Sequence, residues 1–141
     1  MKLVIDSSVS LKWWLDDEEF IDNARLLLKK VIDGDVKLIL PELWYYEVAN
    51  GIMTAVRRNR ISEKLSLKFI EELYAVPVEQ CQIIPHINKI YKAATRYKYA
   101  IYDMTYLIVA ELENIPFITG DKKLFNTLKN TKPFVRYLSD L

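Results

Sequence analysis

An α/β fold organised on a parallel sheet is what this sequence predicts. Short apolar runs alternate with longer amphipathic segments, and the short runs are apolar at consecutive positions instead of every second one. That second feature suits strands covered on both faces, as in a parallel sheet with helices on either side. A length of 141 residues accommodates one domain with a real core and is short for two, so a single unit over residues 1–141 is expected.

Composition narrows the class. The chain is 51% hydrophobic and 28% charged, ordinary for a soluble globular protein. No low-complexity run, fixed-period repeat, linker, charged leader or membrane-length apolar stretch is present. Cys81 is the single cysteine and has no internal disulfide partner, so a cytoplasmic protein with a small core thiol is expected.

The elements follow in order. Leu3, Val4 and Ile5 form the first strand, and Asp6, Ser7 and Ser8 follow at once. In open α/β sheets the ligand crevice lies beyond the carboxyl ends of the strands. Asp6 is therefore either the opener of a turn or part of a site at that edge. Lys12, Trp13 and Trp14 lie between strand and helix, and the two indoles serve as core, as an assembly face or as a stacking surface. Asp16 and Glu19 resemble a capping box for a helix whose apolar positions are Phe20, Ala24, Leu27, Leu28 and Val31, with Gly34 as its stop.

Val36–Leu40 reads as a second strand, and Pro41 as the first residue of the next helix. That helix runs to about Arg60, with Trp44, Val48, Ile52, Ala55 and Val56 facing inward and Glu47, Asn50, Gly51 and Thr54 on the neighbouring stripe. Ser62 is placed to cap a helix that buries Leu65, Phe69 and Leu73. The segment VEQCQII is a weaker strand, and His86 lies in a turn before the helix HINKIYKAATRYK. Asp103 opens a mostly apolar helix ended by Asn114 and Pro116. Pro116–Thr119 is a short strand, Gly120 and Asp121 turn into the helix KKLFNTLK, and Phe134–Leu138 closes the sheet. Capping is a sufficient structural role for both Asp103 and Asp121.

Right-handed crossovers put every strand's carboxyl end on one edge. Asp6 and Asp121 share it, while Glu47 and Asp103 lie on helices that can lean over it. Two carboxylates about 4 Å apart repel by roughly 4 kcal/mol at an effective dielectric near 20, so a cluster of them requires a cation or a shared proton. With one histidine and one cysteine, a thiolate and imidazole zinc site is excluded. Oxygen-only ligands favour Mg²⁺ or Mn²⁺, ions that polarise phosphoryl oxygens and activate water. If four of the 19 acids are sequestered there, the rest of the molecule carries 20 basic against 19 − 4 = 15 acidic residues. RNA is then an admissible partner.

The stretches VIDSSVSLKWWL, PELWYYEVANGIMTAVRRNRIS and IYDMTYLIVAELENIPFITGDKKL together resemble PIN-domain ribonucleases, and within them the small VapC-type toxins of toxin–antitoxin pairs. The likeness runs in register over almost the whole chain. It implies a three-layer α/β/α sandwich with a central five-stranded parallel sheet, a homodimer, Mg²⁺-dependent endonucleolytic cleavage of RNA and a cognate antitoxin. Carried over by position, the family's acidic quartet falls on Asp6, Glu47, Asp103 and Asp121. Asp6 and Asp103 are then the metal ligands, Glu47 and Asp121 complete the shell, and a metal-activated water attacks phosphorus. Ser8, Asn50 and Thr119 match the supporting polar positions. Lys12, Arg57, Arg58, Arg60, Lys122 and Lys123 are candidates for phosphate contacts, with solvated surface as the alternative. Gly120 and the doubled Trp13 and Trp14 depart from the commonest pattern, and neither departure removes a ligand.

Other aspartate-edged folds fit less well. A phosphoacceptor receiver domain needs paired acids after its first strand and an aspartate after its third, where Ile83, Ile84 and Pro85 stand. A haloacid-dehalogenase-type phosphatase needs an aspartate where Ser8 is, and no glycine-rich phosphate loop supports an NTPase. The alternative of a different kind is an RNA-binding or assembly module with little turnover.

Overall fold

Five strands, Lys2–Ile5 (β1), Lys37–Pro41 (β2), Glu79–Cys81 (β3), Phe117–Thr119 (β4) and Val135–Tyr137 (β5), pair in parallel in the order β3-β2-β1-β4-β5. The structure is a computed structural model that describes residues 1–141. Around the sheet lie a single turn, Ser7–Ser10 (α1), and six longer helices: Ile21–Ile32 (α2), Leu43–Arg57 (α3), Glu63–Ala75 (α4), Ile87–Tyr97 (α5), Ile101–Glu113 (α6) and Lys122–Leu128 (α7). This is the expected α/β/α sandwich. No helix is long and apolar enough to cross a membrane.

The strand order fixes where a site can form. From β1 the chain moves outward through β2 to β3, then returns to the other side of β1 for β4 and β5. The two neighbours β1 and β4 thus flank the point where the winding reverses, and a crevice opens beyond their carboxyl ends. The β1 segment Leu3–Ile5 is buried throughout, as its unbroken apolar run requires. Helix α6, buried at every residue from Met104 to Ala110, packs across β1, β2 and β4. A helix apolar on nearly all sides is stable only when enclosed in this way.

Trp13 and Trp14 are core residues. Their indole N–H groups donate to the Ala24 carbonyl at 2.9 Å and to Glu72 Oε2 at 2.8 Å, which removes the stacking-surface reading. Ser62 caps α4, its Oγ accepting from Leu65 N at 3.1 Å. Gly34, at φ +83, supplies the left-handed turn after α2.

Several local expectations are corrected. Asp16 and Glu19 form no capping box, because α2 begins only at Ile21, after Phe20 in a left-handed conformation. Asp16 instead pairs with Arg25, and Phe20 meets the Tyr137 ring edge-on at 5.7 Å. Pro41 ends β2 and does not begin α3, since a strand's last residue has no need of a ladder N–H. Leu65 is 38% exposed, because only part of the apolar stripe of α4 reaches α3. Cys81 is half-buried on the edge strand β3 instead of in the core.

Candidate active site

Asp6 is the first residue beyond β1, and three groups hold its carboxylate. Its Oδ1 caps α1 by accepting from Ser8 N at 3.1 Å, and also accepts from the Ser8 hydroxyl. Its Oδ2 accepts from Thr119 Oγ1 at 2.6 Å, across the β1–β4 seam. Ser8 Oγ and Thr119 Oγ1 in turn accept the backbone N–H groups of Gly120, at 2.8 Å, and Asp121, at 3.1 Å. The ends of the two strands at the winding reversal are therefore knitted together through one carboxylate. Asp6 is only 6% exposed and has no ion-pair partner. Burial pushes its pKa up to about 6; the Ser8 and Thr119 bonds oppose the rise, and the charges of Asp103 and Glu47 add to it.

Glu47 comes from α3 and is half-buried. Its Oε1 accepts a 2.7 Å bond from the hydroxyl of Tyr106, a buried residue of α6. Burial raises the Glu47 carboxyl, the Tyr106 bond counteracts this, and Asp103 raises it further. The Tyr106 phenol is itself driven strongly upward, first by burial and then by Glu47. Asp103, in the first turn of α6, is raised by burial and then by Asp121. Asp121 caps α7 by accepting from Leu124 N at 3.1 Å, so its capping role and its place at the sheet edge coexist.

All four acids line one cup of about 390 Å³, together with Ser7, Ser8, Lys12, Glu18 and Gly120. The convergence expected from the sequence is thus present at the level of the cup. It does not extend to a ready-made cage, since no three of the carboxylates come close enough to hold an ion. The donor chemistry still fits a hard cation: the set is all oxygen, Asp6 is buried as an acid with no cationic partner, and burial together with repulsion from neighbouring acids raises three of the four groups. Asp6 is locked by Ser8 and Thr119, Glu47 is held by Tyr106, and Asp121 is held by Leu124 N.

The remaining candidates divide. Ser8 and Thr119 hold Asp6, whereas Asn50 is exposed and does not line the cup. Lys12 lines the cup and is buried. Arg57, Arg58, Lys122 and Lys123 are exposed and outside it. Arg60 is engaged with Asp17, at 2.8 Å from Nε to Oδ2, and lies 3.6 Å from Glu18. Tyr106 and Glu18 were not singled out from the sequence. Tyr106 had a usable signal, since it lies three residues after Asp103 and so shares its helix face. A larger and mostly apolar groove of about 790 Å³ lies beside β3 and includes Tyr46, Ile84, Ile87 and Tyr102. It contains none of the quartet, and its size is no argument for chemistry there.

Fold and cup together define a doubly wound α/β protein with an acidic site at the reversal of its sheet. The chain belongs to the PIN-domain family, whose model matches residues 3–129. No curated protein matches it significantly by sequence. Among solved structures it is similar to PAE2754 from Pyrobaculum aerophilum, with a TM-score of 0.70 and 17% identity over 99% of this chain and 94% of that one. It is also similar to VapC20 of Mycobacterium tuberculosis, described as a toxin that cleaves the sarcin–ricin loop, with a TM-score of 0.61 and 14% identity over 88% and 93%. A third likeness is to VapBC-1 of nontypeable Haemophilus influenzae, with a TM-score of 0.59 and 16% identity over 99% of both chains. At these identities the likeness establishes a shared fold.

Proposed function

We propose that this chain is a Mg²⁺-dependent endoribonuclease, with Mn²⁺ as a substitute ion, and the toxin of a toxin–antitoxin pair. The observation that carries the reading is the convergence of Asp6, Glu47, Asp103 and Asp121, from four separate elements, on one cup at the sheet's reversal point. Membership of the PIN family and the likeness to VapC20 and VapBC-1 support it.

Asp6 and Asp103 would hold the ion, with Glu47 and Asp121 completing its shell. Once bound, a divalent ion supplies Lewis acidity toward a phosphoryl oxygen and makes water a competent nucleophile near neutral pH. Ser8 and Thr119 keep Asp6 in one rotamer, so its oxygens face the cup without reorganisation. Tyr106 orients Glu47. The exposed Arg57, Arg58, Lys122 and Lys123 would contact flanking phosphates of a long substrate, where contacts set register and salt dependence. A cytoplasmic homodimer restrained by a cognate antitoxin completes the proposal.

The test is cleavage of structured RNA by the purified chain with Mg²⁺, Mn²⁺ or EDTA, beside Asp6→Asn and Asp103→Asn. Metal-dependent cleavage that either substitution lowers by orders of magnitude is expected. Equal cleavage by the variants would assign the activity to a contaminant. Metal-independent RNA binding without turnover would favour the second reading, an RNA-binding or assembly module on the same fold.

A further inference from the structure

Lys12 is the one basic side chain that lines the acidic cup. It is only 7% exposed, yet it forms no ion pair with any of the surrounding carboxylates. No buried side-chain nitrogen or oxygen lacks a hydrogen-bond partner. The Lys12 ammonium is therefore not fully enclosed, and its side chain lines the cup. A lysine stem is readily buried, but enclosing the charged head costs free energy that a partner normally offsets. Here the stem is sequestered among acids while the head is left with unused donors.

Gly120 explains how the stem reaches that position. A Cβ at Gly120 would lie 3.1 Å from Lys12 Cε, 3.1 Å from the Ser8 carbonyl oxygen and 3.2 Å from Ser8 Oγ. Any larger residue would press on the lysine and on the serine that holds Asp6. The glycine that departs from the commonest family pattern is thus the residue that admits the Lys12 side chain.

We propose that Lys12, seated by Gly120, is the substrate-binding residue of the cup, contacting a nonbridging oxygen of the scissile phosphodiester of RNA. An anion approaching four carboxylates is repelled by each, and a cation with three unused donors at the same place gives it a defined landing point. The proposal rests on the nuclease reading and adds the residue that receives the reacting phosphate.

The experiment measures binding separately from turnover. In an Asp103→Asn background with Mg²⁺, a fluorescein-labelled single-stranded RNA is titrated by anisotropy against the chain carrying Lys12, Lys12→Met, Gly120→Ala or, as a control outside the cup, Lys30→Met. Methionine keeps the length and packing of the stem and deletes the charge, so Lys12→Met should melt no lower than its parent. It should weaken RNA binding by about tenfold or more, as loss of a charged hydrogen bond does. The salt slope should fall by about 0.7, the contribution of one single-strand phosphate contact. Gly120→Ala should weaken binding as well, with little further loss when combined with Lys12→Met. A Lys12→Met chain that binds RNA no more weakly than the Lys30→Met control overturns the assignment. A full Gly120→Ala loss persisting in the Lys12→Met background overturns the seating role. If the unsubstituted chain binds RNA through Lys12 but never cleaves it, the nuclease reading fails and the assignment of Lys12 stands.

Discussion

Asp6 pits stability against function. Its carboxyl is raised from an ordinary 3.8 to about 6, so between these values the folded chain holds a proton that the unfolded chain has released. The stability this proton confers is present below the ordinary carboxyl value and is lost as pH rises through about 6. In EDTA the protein should therefore melt lower at pH 7 than at pH 5 through this group, and Asp6→Asn should flatten that difference. At pH 7 the substitution should stabilise the EDTA-treated protein by on the order of 2 kcal/mol, while abolishing binding of Mn²⁺ in calorimetry. A variant that melts lower than its parent under those conditions would contradict the burial argument. Tyr106→Phe tests the neighbouring contact: it removes only the hydroxyl that holds Glu47 at 2.7 Å, and about 1 kcal/mol of stability should go with it. Mn²⁺ affinity should fall several-fold as Glu47 loses its orientation. That partnership had a legible spacing but no legible direction, because periodicity says which residues share a face and not which partner a phenol will find across the core.

Elements carry roles that single residues cannot show. Asp121 is at once the cap of α7 and a wall of the cup, and two substitutions separate these functions. Asparagine caps helices as well as aspartate does, so Asp121→Asn should keep the melting temperature of its parent while lowering Mn²⁺ affinity and RNA cleavage. Asp121→Ala should lose both, with a stability cost of about 1 kcal/mol. Equal melting temperatures for the two variants would show that the bond to Leu124 N contributes nothing. At this scale the sequence was most readable where one strong physical rule acted alone: the unbroken apolar run of β1, the Ser62 cap and the Gly34 stop. It misled where rules competed. The acids Asp16 to Glu19 have the composition of a helix start, but the chain uses them in a turn stitched by Arg25 and Arg60, and Pro41 satisfied the preferences of a helix start and of a strand end equally.

The whole molecule places four acids that lie 41, 56 and 18 residues apart in the chain around a single cup. Alternation of strands and helices made the shared edge legible, since a parallel sheet delivers every carboxyl terminus to one rim. The strand order was not legible, and that order is what brings Thr119 to Asp6. A global consequence is testable by thermal melting. A cation that binds the folded cup and not the unfolded chain adds stability that grows with the logarithm of its concentration, about 2.7 kcal/mol at a hundredfold excess over the dissociation constant. Mn²⁺ should raise the melting temperature of the unsubstituted chain and leave that of Asp6→Asn unmoved.

One sheet edge holds all the proposed chemistry, and the turn at Gly34, which leads into β2, lies at the other end of the strands. A Cβ there would meet no atom within 4 Å, although the positive φ disfavours replacing the glycine itself. The exposed flanking residues Asp33 and Asp35 are therefore a natural place to graft an epitope or tether a dye. A reporter attached there would track the protein's encounters with nucleic acid or inhibitor from a distance, without crowding the surface where those encounters occur.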